Sequence, residues 1–581
     1  MAQPRILKPL PVVSFIQGSA WVSDPAARRT AGLRFPGETY GRSLWLGRET
    51  GHNGPLTGHN GVLKPLPVIS FILVTWTTVA SQLPAADALV KQPRLCAAAL
   101  QFGIAPEPNA ATASRTGARA RRVVGPLKTT VVLLDGGATR LCLVTTHFGG
   151  TTRADVCELF RKTIARDLQL PVSHVLLWTS HNHSSVSFSG KRVSAYETQD
   201  KNVPPAELLP IGEKFLDEVR SHAKRLPEML QPVTVWWAEG RERRITYNRK
   251  GRRADGTTYF MREEDRVLVG DDFNGDIDTQ APVVVLKNAT GQVVAALAQF
   301  TGHPVTSYHP EKPVVFGEWP QVACDLLAAH FDKTGNTPVS FLQGCAGDVN
   351  SKEMFCGGVE RSAEFGRMLG QSYIAALPKL RPSRRDGLDF AMEKVNVPLA
   401  PLPSAKVLIA ELNEMDDFIR RANSGDEDTL SCVGLNFPRA LTPAYRGRLV
   451  ELIRPWNQWA LGRHEQGRAD SVPKHLDMEI GVIRIGDIGI VGMPCEPFQG
   501  IGRQIRRHSP LRVSIPCAYM NASHGYITDG PNTGDREYMS AFYRYTKFRP
   551  PLEKPAGDVM AERAVEVLSR FAKETALRAS N

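Results

Sequence analysis

No two of the nine cysteines form a Cys-x-x-Cys pair, so the paired-thiolate spacing of zinc ribbons and thioredoxin-like sites is missing. The count is odd and thin for 581 residues, which argues against a dense disulfide scaffold. Cys345 and Cys356 are near enough in sequence to bridge, whereas Cys142, Cys324 and Cys517 lie in apolar runs and read as small buried hydrophobes. No Gly-rich phosphate fingerprint precedes a suitable helix. The apolar stretch after Lys64 is short and interrupted by prolines, which is wrong for a spanning helix. Two basic clusters, Arg115, Arg119, Arg121 and Arg122, then Arg241, Arg243, Arg244, Arg249, Lys250, Arg252 and Arg253, lack interleaved aromatics for base stacking. Each is read as a solvated basic loop, and no nucleic-acid partner is expected.

What remains is a globular composition. At 42% hydrophobic and 22% charged residues, neither wholesale disorder nor a multi-span membrane protein is indicated. The net charge of +12 suits an acidic substrate or peripheral contact with an anionic membrane.

Residues 1–95 read as a low-order extension. Ile6 to Ile16 recurs almost unchanged as Val62 to Ile72, and the chain between the copies is rich in Gly, Arg, His and Asn without periodicity. The second copy continues through an apolar core to Ala86-Asp87-Ala88. Lys64, the apolar core and the small residues make segment 64–88 resemble a secretory signal placed internally. Use of that signal predicts a periplasmic or extracellular protein; otherwise the protein is expected in the cytoplasm.

Residues 96–581 read as the folded body. Ala98 to Pro106, Thr129 to Asp135 and Leu141 to Thr146 have strand patterns, the last two joined at Gly136-Gly137. Val156, Phe160, Ile164 and Leu168 stand four apart, predicting a helix over 152–168 capped by Thr151 or Thr152 and ended by Pro171. A hairpin is predicted for Ala281 to Leu286 and Val293 to Phe300, a helix for Gln321 to Phe331, and strands for Val339 to Gln343 and Ile488 to Gly492. Strand and helix alternate, so the fold class is α/β, with mixed β-sheets flanked by helices.

Three of these strands deliver chemistry-bearing residues at their exits. Val175 to Trp178 runs into Thr179-Ser180-His181-Asn182-His183-Ser184-Ser185; Val293 to Phe300 runs into His303; Ile488 to Gly492 runs toward Glu496. In an extended segment residues two apart share a face, so His181 and His183 could address one point. Taken alone, the pair reads equally as two solvated histidines or as ligands. Two histidines and a glutamate supply the neutral nitrogen and anionic oxygen donors of a catalytic zinc with one position open to water. His147 and His309 are weaker candidates, the first as a core histidine and the second in an exposed loop.

With these segments in order, the chain resembles the catalytic domain of the neutral/alkaline ceramidase family. The matching stretches are TSHNHSS, FTGHPVTS, QGCAGDVN, MPCEPFQG and SHGYITDG, within roughly residues 97 to 575. The resemblance implies a zinc held by His181, His303, Glu496 and Tyr526, with His183 as acid/base group and Asp348 retained among the catalytic residues. It also implies Tyr543 as oxyanion stabiliser and Arg249 and Asn350 on the substrate side. Tyr538 and Tyr545 read equally as aromatic packing. Asn350 stands where the family has serine, so a serine-nucleophile mechanism is closed to this chain. Gly530 to Gly534 reads as an insertion, and the β-sandwich that follows the catalytic domain in those ceramidases is not expected here.

The expected function is zinc-dependent hydrolysis of an amide, on an N-acyl lipid such as ceramide or a related molecule, by metal-activated water. The alternatives are a differently specific enzyme (ester or another amide) and a catalytically inactive metal-binding homologue.

Overall fold

Val131-Val132-Leu133-Leu134 shows how the body is layered: all four are buried, with Val132 and Leu134 on one face of their strand and Val131 and Leu133 on the other. A strand covered on both faces reads as a continuous apolar run. The computed structural model describes residues 95–110, 112, 119–149, 154–189, 207–254, 258–309, 313–439, 441–534, 544 and 549–580. The expected extension, the signal-like segment, the Thr151 or Thr152 cap, Tyr538, Tyr543 and Tyr545 lie outside the described residues.

Three sheets share one core. The first has five strands in the order Val175–Thr179, Arg140–Thr146, Leu127–Asp135, Cys96–Ile104 and Gln231–Pro232. The second, also of five, runs Val339–Gln343, Val293–Phe300, Gln280–Lys287, Thr234–Arg241 and Arg381–Pro382. The third has four: Leu388–Pro398, His475–Ile485, Ile488–Gly492 and Val513–Cys517. Val132, Leu176 and Trp178 from the first sheet meet Val284, Leu297 and Leu342 from the second and Ile483, Ile490 and Ile515 from the third. Each such side chain removed from water contributes about 1.5–3 kcal/mol before chain entropy is counted.

Helices cover the outer faces. Ala154–Leu168 and Pro210–Met229 pack on the first sheet through Phe160, Ile164, Phe215 and Val219. Glu318–Phe331 and Gly358–Ala376 pack on the second, and Gln499–His508 and Asp558–Ser580 on the third. The paired helices Ala405–Asn423 and Pro443–Glu465 build a further apolar cluster around Met415, Phe418, Val450 and Ile453. The mixed α/β expectation holds, and the expected strands are found within a few residues of their ends. Among the described residues, no helix is long and apolar enough to cross a membrane.

Two expectations change. Cys345 and Cys356 do not bridge: both are free, the first buried and the second exposed. The second basic cluster is not uniformly a solvated loop, because Arg249 is buried and Arg244 pairs with the buried carboxylate of Glu242.

Candidate metal centre

Each sheet contains one parallel pair: Arg140–Thr146 with Val175–Thr179, Val293–Phe300 with Val339–Gln343, and Ile488–Gly492 with Val513–Cys517. The loops leaving these pairs are stitched together. Ala518 N–H donates to Gln343 O at 2.8 Å, Gly347 N–H to Pro497 O at 2.9 Å, and Asn521 N–H to Leu177 O at 2.7 Å. The candidate residues therefore meet where the carboxyl ends of parallel strands open, the usual place for a site in such sheets.

His181 and His183 converge by a route the extended-strand argument did not foresee. His181 has φ 59°, a left-handed turn uncommon outside glycine, and its N–H donates to Thr179 Oγ1 at 3.2 Å. Asn182 braces the turn by donating to His147 O at 3.0 Å and Phe316 O at 2.7 Å. The two histidine rings sit edge to face, with Nε2 atoms 3.1 Å apart.

His303 is oriented by its backbone neighbours. Its Nδ1 lies 2.7 Å from Ala346 O and 3.2 Å from Val349 O, so the ring proton belongs on Nδ1 and Nε2 presents a lone pair. That lone pair faces Glu496 Oε2 at 3.2 Å, and His181 Nε2 lies 3.7 Å from the same oxygen. Glu496 is set by Glu496–Pro497 pairing in parallel with Tyr526–Ile527.

Burial dominates the electrostatics. It pushes His181 and His303 well below the ordinary histidine range, with Arg249 adding to the effect on His303. His183 is pushed down to about 3 by burial and then by His303. Neutral imidazole is the ligating form. His181, His183 and His303 form a group able to hold a metal ion, their ligand atoms all within 4.8 Å of one another. With metal–nitrogen bonds of about 2.0–2.1 Å, ligand atoms on one ion fall roughly 3.1–3.4 Å apart; the His303–Glu496 separation matches this, and His181 Nε2 stands slightly wider from the same oxygen at 3.7 Å. A nitrogen lone pair held against a carboxylate oxygen also calls for a cation between them. The donor set fits a divalent metal.

The remaining expected residues are placed beside this centre. Arg249 donates to Asn350 Oδ1 at 3.0 Å, Gly347 O at 2.7 Å and the Tyr526 hydroxyl at 2.9 Å. The Tyr526 ring stacks with His303 at 6.2 Å. Asn350 is bridged to His303 through the backbone and belongs to Val349–Ser351. Asp348 points elsewhere: its carboxylate accepts from Gln499 N–H at 2.8 Å, Gln499 Nε2 at 3.3 Å and Asn248 Nδ2 at 3.4 Å, anchoring the start of Gln499–His508. Burial raises Asp348 to about 6. His147 is buried, lies tilted against the Phe341 ring with centroids 6.2 Å apart, and is outside the convergent group.

The sequence reading missed Tyr519 and Tyr308. Tyr519 stacks on His181, and its hydroxyl lies 3.5 Å from His303 Nε2; Tyr308 packs on His183 at 5.6 Å. Tyr519 stands at the exit of Val513–Cys517, the same signal that drew attention to the other three strand ends.

The fold is that of the neutral ceramidases. Neutral ceramidase from Pseudomonas aeruginosa is similar over 82% of this chain and 75% of its own, with a TM-score of 0.51 and 17% identity. A ceramidase complexed with C2 is similar over 82% of this chain and 76% of its own, with a TM-score of 0.55 and 16% identity. No family model matches the chain, nor does any curated protein.

Proposed function

We propose that this protein is a zinc-dependent hydrolase that cleaves the amide of an N-acyl lipid of the ceramide type. The observation that carries the reading is the His303–Glu496 contact of 3.2 Å between a lone pair and a carboxylate oxygen, set beside His181 and His183 on a fold shared with ceramidases. His181, His303 and Glu496 would hold the ion, with Tyr526 as the further donor that the family resemblance implies. A bound zinc supplies Lewis acidity, polarising the scissile carbonyl and acidifying water.

The protein's own groups do the rest. His183 is more exposed than His181, His303 and Glu496, and as a neutral imidazole it takes the proton from the attacking water. The water oxygen bonds to the carbonyl carbon, the C–N bond breaks, and His183 returns the proton to the leaving amine. Arg249 and Asn350 form the polar wall on the substrate side, and Tyr543 is assigned to the oxyanion by resemblance. Asn350 offers a carboxamide already engaged by Arg249, so this position supplies no side-chain nucleophile and the attack is assigned to water.

Elemental analysis joined to hydrolysis of N-acyl-sphingosine, short fluorogenic amides and matched esters tests the reading. One zinc per chain with amide turnover supports it. Zinc with no amide turnover favours a binding role or, if esters are cleaved, another specificity; absence of stoichiometric metal sinks it. The same proposal includes export through segment 64–88, checked by mass spectrometry of the mature amino terminus.

A further inference from the structure

Glu318 is fully buried and opens its helix at φ 55°, a left-handed conformation that a non-glycine residue keeps only where its surroundings hold it. Its Oε1 accepts from Ser307 N–H at 2.7 Å and from the Ser307 hydroxyl at 2.8 Å, while Oε2 accepts from Ser362 at 2.5 Å. Because the Ser307 proton is committed to the carboxylate, the 2.7 Å contact between Ser184 and Ser307 hydroxyls runs one way, with Ser184 donating. Ser184 directly follows His183, and Ser307 directly precedes Tyr308, whose ring packs on His183. One carboxylate thus ties the two histidine-bearing loops to each other and to Glu318–Phe331 and Gly358–Ala376.

We propose that Glu318 is a positioning residue for the histidine site: through Ser307 and Ser184 it sets where His183 and Tyr308 stand relative to His181. The inference rests on the metal-hydrolase reading only for what the positioned groups do. Glu318→Gln keeps an oxygen for Ser307 and lets the new amide face the Ser362 oxygen. Glu318→Leu leaves the Ser307 N–H and the hydroxyl chain without their acceptor. Ser372→Ala is the control, because it removes a hydrogen bond to Glu242 from the same helix as Ser362 without touching either loop.

Zinc affinity is measured by competition with a chelator, and crystal structures of the metal-free proteins give the ring positions. Removing a partner that orients a group at a metal site typically costs about 10–100-fold in metal affinity or activity, and because His183 is the acid/base group and not a ligand, the loss falls on kcat. The expected result is a displaced His183 ring and a kcat loss of that size in Glu318→Leu with zinc affinity retained, near-normal ring position and rate in Glu318→Gln, and no change in either in Ser372→Ala even if its melting temperature falls. Superimposable His183 and Tyr308 rings in Glu318→Leu would overturn the proposal. If Glu318→Leu does not fold, Ser184→Ala and Ser307→Ala decide it: a displaced His183 ring in both supports the chain, and wild-type ring positions in both refute it. If the wild type itself binds no zinc, the metal reading fails while the His183 ring position in the variants still decides this inference.

Discussion

The ring of Tyr519 lies flat on that of His181, centroids 4.1 Å apart and planes 9° from parallel. Both residues have positive φ, 56° and 59°, so two strained turns from different sheets are held face to face. Tyr519→Phe keeps the stack and is expected to stay within about 1.5 kcal/mol of wild type, the scale of one hydrogen bond. Tyr519→Ala opens a buried cavity at roughly 3–5 kcal/mol and releases the His181 ring, so zinc affinity falls with stability. Urea denaturation and zinc titration of both variants check this; unchanged zinc binding in Tyr519→Ala would remove the role given to the stack.

The histidines are expected to separate by function. His181→Ala and His303→Ala lose stoichiometric zinc, whereas His183→Ala keeps much of it and loses about 10²–10⁴ in rate, the range for a general acid/base. Elemental analysis against kcat reads the split. Normal zinc in the first two variants ends the ligand assignment. An empty site in His183→Ala makes His183 a ligand, which its 3.1 Å approach to His181 Nε2 also permits.

Arg249 uses its planar fork on three separate acceptors, a geometry lysine does not reproduce. Arg249→Lys is expected to lose at least one charged hydrogen bond, about 1.5–3 kcal/mol, and to raise KM more than it lowers kcat. In Asn350→Ser the shorter side chain gives up the contact with Arg249, and amide turnover is not expected to rise. A rate increase in Asn350→Ser would show that a hydroxyl at that position can act as nucleophile here.

Asp348 makes stability depend on pH. Burial raises its folded-state value from 3.8 to about 6, so the folded protein binds the proton more tightly than the unfolded chain. Stability from this group is complete below pH ~4 and is lost as pH rises through about 6, a swing on the order of 3 kcal/mol. Asp348→Asn cannot titrate, and the slope of unfolding free energy between pH 4 and 6 should flatten relative to wild type. An unchanged slope in chemical denaturation would assign the pH dependence to other groups.

Much of the frame was legible because it rests on short-range patterns. Val339–Gln343 and Ile488–Gly492 were delimited by apolar runs alone, and the spacing from Val156 to Leu168 marked a helix observed over Ala154–Leu168. Pro227 and Pro455, which lie inside Pro210–Met229 and Pro443–Glu465, show why other helices resist such reading: tertiary packing holds them despite a residue that breaks the local pattern. Among seven basic residues only the family resemblance singled out Arg249, since its partners Gly347, Asn350 and Tyr526 all lie far along the chain. Tyr519 was hidden in an apolar run that reads as more strand.

The sequence by itself determined that His181, His303 and Glu496 each stand just past an apolar strand, because burial on both faces writes a continuous hydrophobic run and the run's end marks the loop. Only the tertiary structure decided that these ends meet, that Nε2 of His303 faces Glu496, and that Asp348 anchors a helix away from the histidines. Those facts arise from parallel pairing between distant strands and from the left-handed turn at His181. No local pattern encodes them, because the contacts that bring the strand ends together join residues far apart in the chain, such as Leu177 with Asn521, Gln343 with Ala518 and His303 with Glu496.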